Sequence, residues 1–364
     1  MPDQLSIEML PAEYGDCLWV ECRSDREVHR LLIDGGPPDT ASLLRQRIEP
    51  LTPAQFDLLV VSHLDADHIG GIVGFISSET SPVVFHDVWF NGYQHLPTAP
   101  PRDFAQADAL TQALNGQSGN LKLGWNVAWQ GRAVVRSDDD PVSATSLASL
   151  PVKETPWGLR ITLLSPTPKR LAALWRGWDA YMREVQAGQS STQPYQQRGR
   201  SLELLPDLAQ LAATHSTRDN TPPNGSSIAF LLEYGGKSCL FAADAFATVL
   251  YPALATLAQS RGVKRLEIDA FKIPHHGSQA NVLPQLFEFV RARHYLVSTS
   301  GARFEHPHDA AMARIITLGG PGQTIWFNYH SDRTARWGQK SLLDRYQYQV
   351  EYPASNTAGI TLTL

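Results

Sequence analysis

Residues 60–71 read VVSHLDADHIGG, placing two histidines and two aspartates within six consecutive positions, directly after an apolar run. They follow the pattern H-x-D-x-D-H, with His63, Asp65, Asp67 and His68. Two imidazoles and two carboxylates this close together cost much free energy if they are left unpaired away from water. A divalent cation removes that cost, because neutral imidazole and ionised carboxylate are both good ligands. The stretch therefore predicts a metal site at the end of a buried strand.

A different interpretation of the same stretch is a solvated helix N-terminus, where the aspartates cap the helix and the histidines are incidental. That interpretation leaves the second histidine and the preceding apolar strand unexplained. The glycines that follow, Gly70 and Gly71, permit a tight turn and a close approach of another backbone segment. We therefore favour the metal site.

A metal site needs ligands from elsewhere in the chain, and two other apolar runs also stop at suitable side chains. Asp244 ends KSCLFAAD, and His275 and His276 end IDAFKIPHHGS. Strand ends meet at one edge of a sheet when the strands run parallel. We therefore expect these three residues to join the first cluster.

Composition places broad limits on the class of protein. The chain has 364 residues, 43% of them hydrophobic, and a formal net charge of −5. This charge provides no general attraction to nucleic acid, so a phosphate-bearing substrate would need local cationic help such as a metal ion. The three cysteines, Cys17, Cys22 and Cys239, contain no C-x-x-C pair and favour buried thiols in a reducing compartment. No signal peptide or membrane-spanning run is recognised, so we expect a cytoplasmic protein.

Turn signals and periodicity predict the organisation of the chain. Strands are expected at LSIEML, CLWVEC, HRLLIDGG, FDLLVVSH and VVFHDVWFN. An irregular insertion follows at about residues 92–220, with helical patches at FAQADALTQAL and RLAALWRGWDAYMREVQ and a polar tract at QAGQSSTQPYQQRGR. The rest predicts a hairpin turning at Gly235-Gly236, a helix over about 245–260, a helix near 283–291 and a strand at HYLVSTSG. Residues 1–364 are therefore expected to form a single domain with two packed sheets and outer helices.

The chain resembles the metallo-β-lactamase-fold hydrolases, and within them the branch that includes the C-terminal domain of the DNA-uptake proteins ComEC/Rec2. The matching stretches occur in the family's order: GDCLWVE, LLIDGG, VVSHLDADHIGG, NGSSIAFLLEYGGKSCLFAADA, FKIPHHGS and FEHPH. The resemblance implies an α/β fold, the αββα four-layer sandwich of two mixed β-sheets flanked by helices. It also implies two divalent metal ions, zinc or manganese, at one edge of the sandwich.

By position, the resemblance assigns His63 and Asp65 to the first metal and Asp67 and His68 to the second. Asp244 would bridge both ions, and His275 would complete the second site. One further assignment concerns the surroundings of the metals. Asp34 would orient the site through a hydrogen bond, unless it merely forms the turn before Gly-Gly.

The sequence departs from the wider superfamily at two points. Asp65 stands where a histidine is usual, and the change from nitrogen to oxygen shifts the preference from zinc toward a harder ion such as manganese. The third histidine of the first site has no clear counterpart either. His215 and Asn224 are the two candidates.

Two metal ions can share a water molecule, lower its pKa and stabilise the oxyanion that forms on attack, which predicts a hydrolase. A carboxylate-rich centre suits a phosphodiester, from a small molecule or a nucleic acid. Asp67, His276 and His306 are the predicted catalytic residues. His276 and Ser278 could donate hydrogen bonds to a phosphate, and His306 or His308 could protonate a leaving group, although structural roles would place them similarly.

Other functions remain open on the sequence alone. A metal-dependent acyl hydrolase acting on a thioester, lactone or lactam would use the same metals, with an apolar pocket around Trp175 and Trp178. The same tryptophans lie at helical spacing, which also fits core packing. A non-catalytic binding module, or an oxidoreductase on the same fold, is a further interpretation. The basic stretches RGVKR and VRARH are short and read as solvated helix ends.

Overall fold

The computed structural model describes residues 3–51, 54–76, 83–97, 110–111, 122–136, 150–178 and 207–364. The predicted polar tract at 186–200 lies outside these residues. So does the helix predicted at 104–114, except for Leu110 and Thr111. Within the described residues, no helix combines the length and apolar character needed to cross a membrane.

One sheet is built mainly from the first third of the chain. Its seven strands in the described residues are β1 (Gln4–Met9), β2 (Leu18–Arg23), β3 (Val28–Ile33), β4 (Gln55–Val60), β5 (Val84–Trp89), β6 (Lys122–Trp125) and β15 (Ile360–Thr363). Their order is β15-β1-β2-β3-β4-β5-β6. The strands from β15 to β3 pair antiparallel, and those from β3 to β6 pair parallel. The carboxyl ends of β3 and β4 therefore lie side by side.

The second sheet comes from the rest of the chain. Its eight described strands are β7 (Val152–Glu154), β8 (Arg160–Ser165), β9 (Ala229–Tyr234), β10 (Lys237–Phe241), β11 (Leu266–Lys272), β12 (Val290–Val297), β13 (Thr324–Phe327) and β14 (Gln349–Glu351). They lie in reverse chain order, and β10 to β14 run parallel. The predicted hairpin is confirmed between β9 and β10, where Gly235 and Gly236 take positive φ angles of 57° and 75°.

Helices cover the outer faces of the two sheets. In the described residues they are α1 (Thr40–Ile48), α2 (Ala66–Ile76), α3 (Pro168–Trp175), α4 (Leu208–Ala213), α5 (Pro222–Gly225), α6 (Ala247–Ser260), α7 (Leu286–Phe289), α8 (Asp309–Leu318), α9 (Asp332–Ala335) and α10 (Lys340–Tyr346). Short 3-10 turns occur at Tyr93–His95, Val127–Trp129, Pro274–Gly277 and Arg336–Gly338.

Side-chain alternation along the strands separates three hydrophobic layers. In β4, Leu58 and Val60 pack between the sheets, while Leu59 packs under α1 and α2. In β9, Phe230 faces the other sheet and Leu231 faces the layer formed with α6 and α8. Successive residues of a strand point to opposite faces, so both sheets are buried on both sides. The predicted αββα sandwich is confirmed.

Some predicted elements differ from the structure. The helix predicted near 283–291 stops at Phe289, because Val290 and Arg291 already belong to β12. VRARH is therefore the start of a strand, and its interpretation as a helix end is wrong. The segment predicted as an irregular insertion contributes β6 to one sheet and β7 and β8 to the other. All three cysteines are free and buried, as expected.

Candidate metal centre

The predicted site residues lie where the two sheets bring their strand ends together. Asp34 follows β3 and His63 follows β4, two neighbouring parallel strands. Asp244 and the pair His275 and His276 follow β10 and β11, which are also parallel neighbours. The backbone N–H of Ile228 donates to the carbonyl of Ser62 at 2.9 Å, which ties the start of β9 to the end of β4.

The α2 helix carries Asp67 and His68 into this edge. Its first turn follows β4 closely, and Gly71 lies against the backbone of Gly35. A Cβ at position 71 would collide with the carbonyl oxygen of Gly35. The predicted close approach is thus real, and it fixes the start of α2 against the turn that holds Asp34.

The Asp244 carboxylate is the centre of the cluster, and each of its oxygens faces two imidazole Nε2 atoms. Oδ1 lies 3.4 Å from Nε2 of His68 and 3.6 Å from Nε2 of His276. Oδ2 lies 3.9 Å from Nε2 of His63 and 3.5 Å from Nε2 of His275. Asp244 is 2% exposed. This carboxylate therefore divides the histidines into two pairs.

The opposite ring nitrogen, Nδ1, of each of these histidines is held by an oxygen atom. The four contacts are His63 to Ser62 Oγ at 3.0 Å, His68 to Asp34 Oδ2 at 2.8 Å, His275 to Asn281 Oδ1 at 3.0 Å and His276 to Ser298 O at 2.9 Å. Since Ser62 Oγ donates its own proton to Asp34, it accepts from His63. Hydrogen bonds at Nδ1 leave the Nε2 lone pairs available to a ligand. Asp34 therefore has the orienting contact expected of it.

Two carboxylates extend the cluster, one on each side. Asp65 Oδ2 lies 3.6 Å from Nε2 of His63, and the Asp65 side chain is 38% exposed. Asp67 Oδ2 lies 3.7 Å from Nε2 of His276. Ligand atoms of His63, His68 and Asp244 lie within 4.8 Å of one another, and so do those of Asp67, His68 and His276.

The donor set fits a divalent cation. His63 Nε2 and Asp244 Oδ1 are buried, and neither has a hydrogen-bond partner among the described residues. Such groups are costly to bury unless a ligand satisfies them. Burial alone would lower the pKa of His68, but Asp244 and Asp34 hold that pKa well above its usual value. A cation would take over the role of the protons that these carboxylates now attract.

The two adjacent histidines face different sides of the cluster. His276 Nε2 lies 3.2 Å from His68 Nε2, whereas His275 faces the Asp244 oxygen that also faces His63. The resemblance placed His275 with Asp67 and His68. In the structure, His276 lies beside that pair, and His275 shares an Asp244 oxygen with His63.

The two candidates for a third ligand of the first site, His215 and Asn224, differ in burial and in hydrogen bonding. His215 is exposed. Asn224 is buried, its Nδ2 donates to Asp219 at 2.7 Å, and its Oδ1 has no hydrogen-bond partner among the described residues. Asp219 Oδ2 in turn lies 3.4 Å from His275 Nδ1.

The predicted rim residues cluster beside the two adjacent histidines. The His306 ring lies 5.1 Å from that of His275 and 6.2 Å from that of His276, and the His308 ring lies 4.8 Å from that of His306. Burial, with His275 and His308, lowers the pKa of His306 well below its usual value. The Ser278 hydroxyl accepts from the N–H of Ala280 at 3.3 Å, a local turn contact.

Sequence reasoning missed a buried ion pair under the site. Lys272 Nζ lies 2.7 Å from Asp16 Oδ2, both side chains are 1% exposed, and Asp16 Oδ1 lies 3.4 Å from Nδ1 of His276. Burial alone would raise the pKa of Asp16, but Lys272 and His276 hold it well below its usual value. A carboxylate just before β2 and a lysine ending an apolar strand were the available signals. Asp219 lies in a loop that carried no such signal.

Comparison with known proteins agrees with the fold. Residues 11–155 match the family model of the metallo-beta-lactamase superfamily. No curated protein sequence matches the chain.

Three solved structures match the chain at low sequence identity and low TM-score. The metallo-beta-lactamase fold protein YhfI from Bacillus subtilis is 12% identical with a TM-score of 0.42, covering 100% of both chains. The CmlA beta-hydroxylase E377D mutant is 12% identical with a TM-score of 0.37, covering 100% of this chain and 54% of that one. The metallo-beta-lactamase MIM-1 from Novosphingobium pentaromativorans is 13% identical with a TM-score of 0.28, covering 83% and 84%. The chain thus has the metallo-beta-lactamase fold, and its residues 11–155 carry the sequence pattern of the metallo-beta-lactamase superfamily.

Proposed function

We propose that this protein is a binuclear metal-dependent hydrolase of phosphodiesters. The observation that carries the proposal is the Asp244 carboxylate, whose two oxygens each face two imidazole Nε2 atoms. A carboxylate with one oxygen toward each of two ligand pairs suits two cations better than one. The superfamily consists largely of hydrolytic metalloenzymes, which agrees with this proposal.

The ligands divide on geometric grounds. His63, Asp65 and His275 would hold one ion, and Asp67, His68 and His276 would hold the other, with Asp244 shared. Bound divalent cations would supply Lewis-acid stabilisation of charge on the reacting phosphate and lower the pKa of the attacking water. The protein fixes the ligands through Asp34, Asn281 and the Ser298 carbonyl, which orient three of the four imidazoles.

The carboxylates favour a phosphodiester over a carbonyl substrate. Three aspartates, Asp65, Asp67 and Asp244, stand beside four histidines, which is a harder set than one of nitrogen alone and favours manganese over zinc. A hard centre suits charged phosphate oxygens. Asp65 is the most exposed of the three carboxylates, at 38% against 17% for Asp67 and 3% for Asp244, so we infer that substrate approaches from its side.

His306 is placed to act on substrate from beside the metal ligands. Burial and the neighbouring His275 and His308 hold the pKa of His306 well below its usual value, which favours the neutral imidazole, the form that can accept a proton. We keep it as a candidate catalytic residue. His276, predicted as a phosphate donor, is better explained as a metal ligand because its Nε2 points to Asp67, His68 and Asp244.

We also propose that the chain belongs to the ComEC/Rec2-like branch. It would then act as a nuclease in the cytoplasm. The H-x-D-x-D-H cluster and the PHHGS turn support it. A nucleic-acid or small-molecule phosphodiester is the expected substrate.

The acyl-hydrolase alternative was expected to use an apolar pocket around Trp175 and Trp178. Trp178 is 2% exposed and packs in the outer core of the first sheet. Trp175 is partly buried against the same core. Packing accounts for both tryptophans within the described residues, so they do not favour the acyl-hydrolase alternative.

The decisive experiment measures turnover and metal content together. The purified protein, with Mn²⁺ or Zn²⁺ shown to be bound, is assayed on a chromogenic phosphodiester, on single- and double-stranded DNA, and on thioester, lactone and lactam substrates. Asp244→Asn should abolish phosphodiester turnover. Asp57→Asn, which changes a carboxylate that pairs with His29 outside the cluster, should not. If the metal-loaded protein hydrolyses none of the phosphodiesters, the proposal is rejected. If it hydrolyses a thioester, lactone or lactam instead, the protein is an acyl hydrolase.

A further inference from the structure

An exposed aromatic side chain stands beside the metal centre in a backbone conformation that aromatic residues rarely adopt. Phe304 is 44% exposed, and its φ is 61°. The next residue, Glu305, also has a positive φ, 57°. Positive φ is a genuine outlier for a bulky residue, and such strain persists where the surroundings impose it, often at functional sites.

Contacts with the loop before β2 hold this conformation. The Phe304 ring packs edge-to-face on Tyr14, with centroids 6.2 Å apart. The Arg303 guanidinium lies 4.4 Å from the Tyr14 centroid and 5.3 Å from the Phe304 centroid. Backbone bonds join the same two loops: Ser300 N–H donates to Glu13 O at 2.6 Å. Tyr14, Arg303 and Phe304 thus form one unit, here called the aromatic platform.

The aromatic platform adjoins the candidate ligands on both of its sides. Phe304 lies 6.0 Å from His306, ring centroid to centroid, and His306 lies 5.1 Å from His275. On the other side, Asp16 N–H donates to Asp67 O at 3.2 Å, two residues after Tyr14. The platform is therefore one ring, that of His306, away from the candidate ligand His275, and its backbone adjoins that of Asp67.

We propose that the aromatic platform stacks a nucleobase that flanks the scissile phosphate, so that the substrate class is a nucleotide phosphodiester. This inference rests on the proposed function and narrows it. An exposed ring stiffened by a second aromatic and a guanidinium suits a flat base, because stacking needs a rigid face and tolerates any base. The carboxylates of Glu13 and Glu305, both exposed, disfavour a phosphate at the platform itself.

Replacement of Phe304 by glycine separates ligand binding from folding. Glycine adopts positive φ without strain, so Phe304→Gly removes the ring while it relieves the backbone. The unfolding midpoint should not fall. A purely structural role for the ring would instead make this variant less stable. Phe304→Trp should keep the binding, and Val263→Ala, an exposed apolar residue before β11, is the control.

Binding and turnover are measured separately. Calorimetric titration of the Mn²⁺-loaded protein compares thymidine 5′-monophosphate with methyl phosphate. We expect the nucleotide to bind about tenfold more tightly, and Phe304→Gly to remove that preference. Hydrolysis of the thymidine and methyl esters of 4-nitrophenyl phosphate should show the same preference in KM. Equal affinity for the two phosphates, or a preference that survives in Phe304→Gly, overturns the inference. A nucleotide preference without hydrolysis of either ester leaves the platform standing and rejects the proposed function.

Discussion

The Nε2 atoms of His68 and His276 lie 3.2 Å apart, although 208 positions separate the two residues in the chain. Each ring is anchored from behind, His68 by the Asp34 carboxylate and His276 by the Ser298 carbonyl. Two nitrogen lone pairs at this distance repel each other unless a proton or a cation lies between them. The fold therefore holds both rings in an arrangement that a shared positive charge stabilises.

His276→Ala should remove one ligand from the pair and weaken metal binding. The loss should exceed about 100-fold in affinity, the upper end of the effect of removing a hydrogen-bond partner of a ligand. Metal content after dialysis, measured by elemental analysis, checks this. His86→Ala, on an exposed position of β5, should bind metal like the native protein. Unchanged metal content in His276→Ala would assign His276 to substrate instead.

Metal affinity should rise with pH. Burial alone would lower the pKa of His275, but the carboxylates of Asp244 and Asp219 raise it to about 9. This imidazole is therefore protonated at pH 7 when no cation is bound. A cation must displace that proton. Affinity should therefore increase about tenfold per pH unit for each proton displaced, until pH approaches about 9. Chelator competition at pH 6, 7 and 8 measures the slope, and an affinity independent of pH would mean that the histidines do not bind the ion.

The sequence predicts strand ends well because the signal is local. Apolar runs that stop just before His63 and at Asp244 predicted which side chains reach one edge of the sheets, and the structure brings them together. Parallel pairing explains why no long-range information was needed. The helix predicted near 283–291 was wrong at both ends, since the helix spans only Leu286–Phe289 and Val290 begins a strand that pairs with β11 and β13.

Side-chain direction at the adjacent histidines could not be predicted in the same way. Alternation along β11 ends at Lys272, and His275 and His276 both take positive φ, 49° and 52°. No strand or helix period applies to two successive left-handed residues. The Asp16–Lys272 pair is equally hidden, because its partners lie 256 positions apart.

Lys272→Met should destabilise the protein by about 3 kcal/mol, because it leaves the Asp16 carboxylate buried without a countercharge. Urea unfolding measures the loss. The double variant Asp16→Asn/Lys272→Met removes both charges and should recover much of the stability. If the double variant is as unstable as the sum of the single variants, the pair is not coupled in the folded protein.

His95, which is not one of the candidate metal ligands, should make the stability of the protein depend on pH. Burial lowers the pKa of His95 to about 4, against the hydrogen bond that the ring donates to Gly131 O at 3.2 Å. The unfolded chain therefore binds one more proton than the folded one between about pH 6.5 and pH 4, so stability falls as pH falls through this window. The variant His95→Gln keeps an N–H hydrogen-bond donor at this position but cannot take up a proton. The free energy of unfolding is measured with urea at pH 7, 5.5 and 4.5. Between pH 7 and pH 4.5, His95→Gln should lose on the order of 2 kcal/mol less of this free energy than the native protein loses. The exposed-site variant His86→Gln should follow the native curve, and identical curves for all three proteins would show that His95 titrates normally.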